Sequence, residues 1–189
     1  MQAADILFAL IWIAFYAYWL ISAWKTRSPV KRKQSRLSYF MYGIVWVAIW
    51  IFLINWFSPD LMTARIVPDS IGYTIIGLLI TLAGLAFAIW ARVHLGKNWS
   101  GMPAIREQHT ITRTGPYRFV RHPIYSGILL GLLGTAIGIG YFIIFCCVLL
   151  ILVLFVIKFR MEEQFLEEEF GEEYARYKRE VRALVPFLI

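Results

Sequence analysis

The sequence predicts an all-α fold, an integral membrane bundle of about five transmembrane helices. The chain has 189 residues, of which 60% are hydrophobic and 17% aromatic, and its mean hydropathy is +0.64. This composition is typical of membrane proteins and excludes an ordinary soluble domain. Four long stretches contain no formally charged residue, and we interpret them as the spanning regions: residues 6–24, 37–59, 70–91 and 123–157.

The lengths of these stretches give the helix count. The first three contain 19, 23 and 22 residues, close to the ~20 residues that one helix needs to cross the hydrocarbon core. The fourth contains 35 residues and would form a straight helix about 52 Å long, although the core is only about 30 Å thick. Gly138 and Gly140 lie near its middle, so we predict a hairpin of two helices. Each arm then has roughly 15–17 residues, at or below the usual spanning length.

The basic residues predict the orientation of the bundle. Of the 19 lysines and arginines, 18 lie in the segments 25–36, 92–122 and 158–189, which are separated from one another by pairs of spans. All three segments therefore lie on one side of the membrane, and only Arg65 lies on the other. By the positive-inside rule the shared side is cytoplasmic, as is the C-terminus, and the N-terminus is outside. The first helix has basic residues only after it, so we expect an uncleaved anchor.

The chain is predicted to form one integral membrane domain, with three N-terminal helices in 1–91 and a second region in 92–189. It has no GxGxxG motif and no Walker loop, so a nucleotide-like ligand would need another kind of site. Cys146 and Cys147 are adjacent within the hairpin and fit no metal or redox pattern, so we interpret them as packing residues. The net charge of +7 is explained by topology and favours contact with anionic membrane lipids over nucleic-acid binding.

Small residues recur three or four positions apart on two of the predicted helices. Such a pattern lets two helix backbones approach closely, which predicts a tight bundle that walls a cavity. Glycine is also common in membrane helices in general, and the pattern alone leaves that explanation open. The two sets are Gly77, Thr81, Gly84 and Ala88, and Gly127, Gly131, Gly134 and Gly138.

The segment 115–127, Gly-Pro-Tyr-Arg-Phe-Val-Arg-His-Pro-Ile-Tyr-Ser-Gly, places ionisable residues directly before the longest apolar stretch. Pro123 excludes the α conformation at His122 and suits the first turn of a helix. The positive end of that helix would lie beside Arg121 and His122, where a carboxylate or a phosphate could bind. The alternative is a simple helix start with snorkelling arginines, which is common at the membrane interface.

A second group of charged residues follows the last apolar stretch. Glu162 and Glu163 lie close to the membrane boundary, where a carboxylate without a partner is unfavourable. Apolar and aromatic residues then recur with a helical rhythm, so the later glutamates are best explained as a solvated helix face. Basic and acidic groups at one interface predict a site for a ligand that is both charged and amphiphilic. The solvated glutamates are Glu167, Glu168, Glu169, Glu172 and Glu173.

Together these motifs closely resemble those of the isoprenylcysteine carboxyl methyltransferase family, which belongs to a wider group of membrane phospholipid methyltransferases. The resemblance is carried by residues 115–127 and by 162–186, where Glu-Glu is followed by Phe-Gly-Glu-Glu-Tyr. It extends to 95–100 and 109–111 and so covers roughly residues 92–187. It implies S-adenosylmethionine as the cofactor, held by a cytoplasmic loop and the start of the fourth helix. By position, the implied cofactor contacts are His109, Thr110, Ile111, Thr112, Tyr117, His122, Pro123, Ile124, Tyr125 and Glu162.

The candidate catalytic residues are Arg121, Lys158 and Glu163. The family usually places an arginine four residues before the first glutamate, where it holds the substrate carboxylate, but this chain has Lys158 there. A lysine is a point charge rather than a bidentate fork, and Arg121 could supply the fork instead. An amine or thiol acceptor would have to lose a proton, for which Glu163 or His122 is available.

The favoured activity is carboxyl methylation of a lipophilic, prenylcysteine-like acceptor. Methylation of a phospholipid amine or of a small thiol remains an alternative within the same class. Two alternatives come from other classes. NADPH-dependent membrane sterol and enone reductases have related motifs. A non-catalytic membrane partner protein would have similar membrane helices. No charged residue within the apolar stretches marks an ion path, which argues against transport.

Overall fold

The computed structural model describes residues 3–25, 30–33, 43, 63–99, 104–106 and 110–185. The described chain is predominantly helical, which confirms the predicted all-α class. A short antiparallel pairing of two strands, which was not predicted, joins the segment after the first helix to the loop before residue 110. The helices are α1 (Ala3–Lys25), α2 (Ile71–Leu95), α3 (Pro123–Ile139), α4 (Phe142–Phe170) and α5 (Glu172–Glu180), and the strands are β1 (Val30–Lys33) and β2 (Ala104–Arg106).

Three of the described helices are long and apolar enough to cross a membrane. They cover Ala4–Trp24, Ile71–Leu95 and Phe142–Phe170, whereas α3 is a shorter apolar helix of 17 residues. At 1.5 Å per residue α3 is about 25 Å long, shorter than the hydrocarbon core. The predicted helix over 37–59 lies outside the described residues, apart from Gly43. The length and apolar composition of these helices make the chain an integral membrane protein.

The predicted hairpin is confirmed. α3 ends at Ile139, and α4 begins at Phe142. Gly140 between them has φ +86°, a left-handed conformation that glycine adopts without the steric cost of a Cβ. Its carbonyl accepts hydrogen bonds from the backbone N–H groups of Ile66 and Val67 at 2.9 and 3.3 Å. α4 then continues unbroken past the end of the uncharged stretch to Phe170, so the charged motif lies on the same helix as the membrane span.

α2 and α3 pack with their backbones in contact along the predicted small-residue faces. A Cβ added to Gly134 would lie 2.5 Å from the backbone nitrogen of Thr81, and one added to Gly77 would lie 2.5 Å from the carbonyl oxygen of Gly134. Such distances leave no room for a side chain. The close approach that the glycine pattern predicted is therefore confirmed. Packing of the two helices within the membrane depends here on small residues.

Hydrogen bonds between side chains link α1 to the pair of α2 and α3. Thr81 Oγ1 of α2 donates to the carbonyl oxygen of Gly131 at 3.1 Å and lies 3.3 Å from Thr135 Oγ1 of α3. Trp12 Nε1 of α1 donates to the same Thr135 hydroxyl at 3.0 Å. Each polar group thus finds a partner in the bundle, where an unsatisfied group would be costly.

The C-terminal segment folds back onto the start of α3. α4 ends at Phe170, and the next residue, Gly171, has a φ of +53° that lets the chain turn into α5. Beyond α5, the carbonyl oxygens of Arg182 and Ala183 accept the backbone N–H groups of Arg121 and His122 at 2.8 and 2.9 Å. The tail therefore pairs with the segment that leads into α3, and the two motifs of the sequence meet there.

Candidate active site

A cavity of about 510 Å³ lies where α1, α3, α4 and α5 meet the loop before α3. Its polar end is formed by the loop residues 110–112, by Arg121 and His122 directly before α3, and by Lys158 and Glu162 of α4. Its other walls are aromatic and apolar and include residues of α1. Of the predicted site residues, those that line it are Thr110, Ile111, Thr112, Tyr117, Arg121, His122, Ile124, Tyr125, Lys158 and Glu162.

Three predicted residues are placed differently. Pro123 begins α3 and is buried, but its side chain does not line the cavity. Glu163 is also buried, with 3% of its surface exposed, and lies behind the cavity wall. His109 lies outside the described residues.

Glu163 is the centre of a buried ion cluster. Its Oε1 accepts a hydrogen bond from Arg121 Nε at 2.8 Å, and lies 2.7 Å from Arg121 Nη2 and 3.0 Å from His122 Nε2. Its Oε2 lies 3.5 Å from Lys178 Nζ of α5. Neighbouring positive charge favours the ionised carboxylate. One acidic side chain of α4 therefore holds the start of α3 and the C-terminal helix together.

The guanidinium of Arg121 is largely used within this cluster. Besides the contacts of Nε and Nη2 with Glu163, its Nη1 donates to the backbone carbonyl oxygens of Lys178 and Val181. Only 8% of its side-chain surface is exposed. Arg121 borders the cavity, but its donors are directed to the protein, so its clearest role in the structure is to fix the C-terminal segment.

Glu162 faces the cavity, in contrast to its neighbour in sequence. Its Oε1 accepts a hydrogen bond from the Tyr125 hydroxyl at 2.7 Å, and its Oε2 lies 4.0 Å from His122 Nδ1. The His122 ring stacks between the rings of Tyr125 and Phe159, with centroid distances of 5.6 and 4.9 Å. The two nitrogens of His122 are therefore divided between Glu163 in the protein and Glu162 at the cavity.

Lys158 carries the charge one turn before Glu162 on α4. Its Nζ lies 5.3 Å from the centre of the Tyr125 ring, within cation–π range. Among the residues that the structure describes, no carboxylate lies within ion-pair distance of this ammonium group. Lys158 is thus the cavity cation that retains donors for an anionic ligand.

The loop that borders the cavity is tied to α5 and to the end of α2. The Tyr177 hydroxyl donates to the carbonyl oxygen of Tyr117 at 2.6 Å, and Asn98 Nδ2 donates to that of Thr110 at 3.3 Å. Burial raises the pKa of Tyr117 well above its usual value, so its phenol stays protonated at neutral pH. Tyr117 therefore lines the cavity and does not act as a base.

Several cavity residues were missed by sequence reasoning. α1 contributes a face of apolar and aromatic residues, and Trp99 and the α5 tyrosines complete the walls. The α1 residues recur at helical spacing, but the same spacing is expected of any helix that faces lipid. Only the fold brings them to the motif residues, which lie about a hundred positions later. The missed residues are Phe15, Tyr16, Trp19, Leu20, Ala23, Leu95, Asn98, Trp99, Ile128, Phe155, Phe165, Leu166, Tyr174 and Tyr177.

Comparison with known proteins agrees with this fold. A solved structure of a eukaryotic intramembrane Ras methyltransferase, an isoprenylcysteine carboxyl methyltransferase, superposes with a TM-score of 0.57 and 24% identity, covering 82% of this chain and 54% of that chain. A probable protein-S-isoprenylcysteine O-methyltransferase of Oryza sativa subsp. indica is 33% identical over 116 residues, 60% of this chain and 61% of the relative. Methanethiol S-methyltransferase 1 of Bradyrhizobium diazoefficiens is 34% identical over 71 residues, 38% of this chain and 24% of the relative.

The matches leave part of each relative uncovered, since this chain spans about three fifths of the rice protein's length. The sequence model of the phospholipid methyltransferase family matches residues 73–173, more than half of the chain. That range contains nearly all of α2, the whole of α3 and α4, and every motif residue that borders the polar end of the cavity. The chain therefore belongs to the phospholipid methyltransferase family, and within it is similar to the isoprenylcysteine carboxyl methyltransferases.

Proposed function

We propose that this chain is a membrane-embedded, S-adenosylmethionine-dependent methyltransferase whose acceptor is lipophilic and carries a carboxylate, as a prenylcysteine does. The observation that carries the proposal is the single cavity that joins charged groups at the membrane boundary to an apolar wall on α1 and α4. A donor and an acceptor of different polarity can meet in such a cavity. The other support is family membership and similarity to prenylcysteine methyltransferases.

The polar end suits a cationic cofactor. Glu162 presents a carboxylate, and Tyr125 and Tyr117 present aromatic surfaces, which attract a sulfonium ion. The hydrogen bond from Tyr125 holds Glu162 in place, so little ordering is needed on binding. Bound S-adenosylmethionine would supply an activated methyl group. The residues of this chain therefore need to position the acceptor in line and exclude water.

Lys158 is proposed to hold the carboxylate of the acceptor. Its ammonium group lies over Tyr125 and retains hydrogen-bond donors, whereas Arg121 is directed to Glu163 and the C-terminal backbone. A carboxylate is ionised at neutral pH and needs no general base before it attacks a methyl carbon. A lysine fixes such a group less rigidly than an arginine fork would, so the other cavity walls must contribute to orientation.

Arg121 and Glu163 are proposed to act through His122. Glu163 lies behind the cavity wall and bonds His122 Nε2, which directs the opposite nitrogen toward Glu162. The pair therefore positions the cofactor-binding face of α3 and does not contact the acceptor. This assignment differs from a direct catalytic role for either residue.

The membrane orientation is part of the proposal. The charge distribution favours a cytoplasmic location for residues 25–36, 92–122 and 158–189, with 60–69 and 138–140 outside. Cysteine substitutions at Lys31 and at Ala64 should be labelled from opposite sides of sealed vesicles. Labelling of both from the same side would contradict the topology.

A small thiol is the second candidate acceptor, since the chain is similar to a methanethiol S-methyltransferase. A thiol has to lose a proton before it becomes a good nucleophile, and His122 is the cavity group able to accept one. This candidate requires no apolar wall. The acceptor experiment must therefore include it.

The experiment supplies radiolabelled S-adenosylmethionine with a prenylcysteine analogue, a phosphatidylethanolamine or a small thiol. We expect methyl transfer to the prenylcysteine analogue, as a base-labile ester. Lys158→Met should lower kcat/KM for that acceptor by about 10-fold or more, because a charge-assisted hydrogen bond contributes about 1.5–3 kcal/mol. Transfer only to the thiol or only to the amine would overturn the assignment of the acceptor. No transfer to any of them would argue against the activity.

A further inference from the structure

One wall of the cavity is built by a helix outside the region that defines the family. Phe15, Tyr16, Trp19 and Leu20 of α1 line the cavity, together with Ala23 near the end of that helix. These residues recur three or four positions apart and so share one helix face. From Phe15 to Ala23 the face extends about 12 Å along the helix axis. The family match begins only at residue 73.

This wall lies toward the apolar end of the cavity. Ile128 of α3 and Phe155 of α4 line the cavity as well, the latter three residues before Lys158, where the uncharged stretch ends. The loop residues 110–112 and Glu162 form the other, polar end. The cavity thus presents both groups that suit a charged cofactor and groups that suit an apolar chain.

The outer edge of the wall is open to the surroundings of the bundle. Tyr16 and Leu20 are 57% and 71% exposed, although both border the cavity. They are on a helix that is apolar and long enough to cross a membrane, so the surfaces that none of the described residues cover lie at the depth of the lipid. An apolar chain can therefore reach the wall from the membrane without crossing water.

A buried arginine fastens the inner edge. The guanidinium of Arg92 lies 3.9 Å from the ring centre of Trp99 and 5.9 Å from that of Trp19, and its Nη2 donates to the carbonyl oxygen of Ser22 at 3.1 Å. Only 1% of Arg92 is exposed. The two indole rings meet edge to face at 5.7 Å, and both line the cavity. Arg92 of α2 thereby fixes the end of α1 and the orientation of its tryptophan.

We propose that Phe15, Tyr16, Trp19 and Leu20 form the subsite for the apolar tail of the acceptor, with Arg92 as the residue that positions it. The inference rests on the proposed function and adds where the acceptor's tail binds. Flat aromatic surfaces suit an unsaturated or branched hydrocarbon chain at low entropic cost, since their side chains have few rotatable bonds. Selectivity for tail length then resides in the N-terminal helix of this chain and not in residues 73–173.

A binding experiment tests the subsite independently of methyl transfer. The full-length protein is saturated with S-adenosylhomocysteine and incubated with a prenylcysteine analogue that carries a photoreactive diazirine at the end of its tail. We expect the label on peptides from residues 3–25, reduced by excess unlabelled analogue. Competable labelling confined to α2 or α4 would overturn the proposal, even if the protein proves to be an active methyltransferase.

Substitutions then test the selectivity. Trp19→Ala should raise KM for a long-tailed prenylcysteine about 10-fold, a loss typical of one buried aromatic contact, and should leave the Kd of S-adenosylhomocysteine within about twofold. Arg92→Lys should shift the same KM in the same direction by a smaller factor, because lysine keeps the charge but not the planar stacking. Both should change KM for a tail-less cysteine analogue much less.

Ile13→Ala is the matched control on the same helix. Ile13 is 62% exposed and does not line the cavity, so its truncation should leave KM for both acceptors unchanged. An equal rise in KM in Ile13→Ala and Trp19→Ala would overturn the subsite, as would a Trp19→Ala variant that loses cofactor affinity by the same factor as acceptor affinity. The second result would assign the wall to the cofactor.

Discussion

Two interfaces of α3 are held together by different physical means. Toward α2, the helix presents glycines and packs backbone against backbone, with Gly134 opposite Thr81. At its start, it is joined to α4 and the C-terminal segment by charges around Glu163. The first interface depends on the absence of side chains and the second on the presence of particular ones. Lipid gives apolar helices no hydrophobic reason to associate, so the first interface has to rely on close fit.

The difference has a functional consequence. At the glycine interface, any substitution enlarges a side chain and pushes the two helices apart along their length. At the charged interface, a substitution can remove one charged group and leave the others in place. This interface lies next to His122, which lines the cavity. Substitutions at the first should therefore reduce stability, and substitutions at the second should reduce both stability and cofactor binding.

The largest effect is expected where a buried charge loses its partner. Glu163→Ala leaves Arg121 and Lys178 without their shared carboxylate, and removal of one member of a buried ion cluster costs about 3–5 kcal/mol. The measurement is unfolding in detergent, followed by circular dichroism. Glu168→Ala is the control, since its side chain is exposed and outside the cluster, and should change stability by less than about 0.5 kcal/mol. Similar losses in both variants would contradict the cluster.

A size change at the glycine interface is expected to come next. Gly134→Ala places a methyl group 2.5 Å from the backbone nitrogen of Thr81, and overpacking of this kind costs about 1–3 kcal/mol. The control is Gly72→Ala, at the start of α2, where the nearest atom would be Ser70 Oγ at 3.8 Å. That control should be neutral or slightly stabilising, because alanine favours helix more than glycine does. A stable Gly134→Ala variant would mean that α2 and α3 lie further apart.

Several features of these two interfaces were predictable from the sequence. Small residues at intervals of three and four identify a close helix pair because spacing on a helix is local information. The hairpin at Gly140 was predictable for the same reason, since the apolar stretch is too long for one span. The motif residues from Thr110 to Tyr125 and Glu162 came from the family resemblance, and most of them do line one cavity.

Other features depend on contacts between distant parts of the chain. Glu162 and Glu163 are neighbours in sequence, but the helix turns one toward the cavity and the other toward Arg121 and Lys178. Nothing in the local sequence distinguishes the two without knowledge of where α5 packs. The position of Trp19 in the cavity was equally hard to predict, because an aromatic residue on a membrane helix is expected whether it faces lipid or a ligand. The pairing of β1 with β2 likewise leaves no clear local pattern.

A smaller effect is expected at the link between α5 and the cavity loop. Tyr177→Phe removes the hydroxyl that donates to the carbonyl oxygen of Tyr117 at 2.6 Å, which should cost about 1 kcal/mol of stability. Because Tyr117 borders the cavity, the Kd of S-adenosylhomocysteine should rise a few-fold. Tyr73→Phe, at an exposed position of α2, should change neither quantity. If the two variants behave alike, α5 does not support the loop.

The smallest effect is expected from the hydroxyl chain between the helices. Thr81→Val removes the bond to Gly131, and interhelical hydrogen bonds in membrane proteins contribute about 0.6 kcal/mol on average. A double-mutant cycle with Thr135→Val measures the coupling between the two hydroxyls. A coupling above about 2 kcal/mol would show that hydrogen bonds, and not fit, dominate this interface.

The central claim is a cofactor site built on Glu162 and His122, and direct binding of S-adenosylhomocysteine by calorimetry tests it most directly. The wild-type protein should bind this product and not NADPH. Glu162→Ala and His122→Ala should each weaken binding by about 10-fold or more, whereas Glu168→Ala should bind as the wild type does. Binding of NADPH instead, or equal losses in all three variants, would contradict the account.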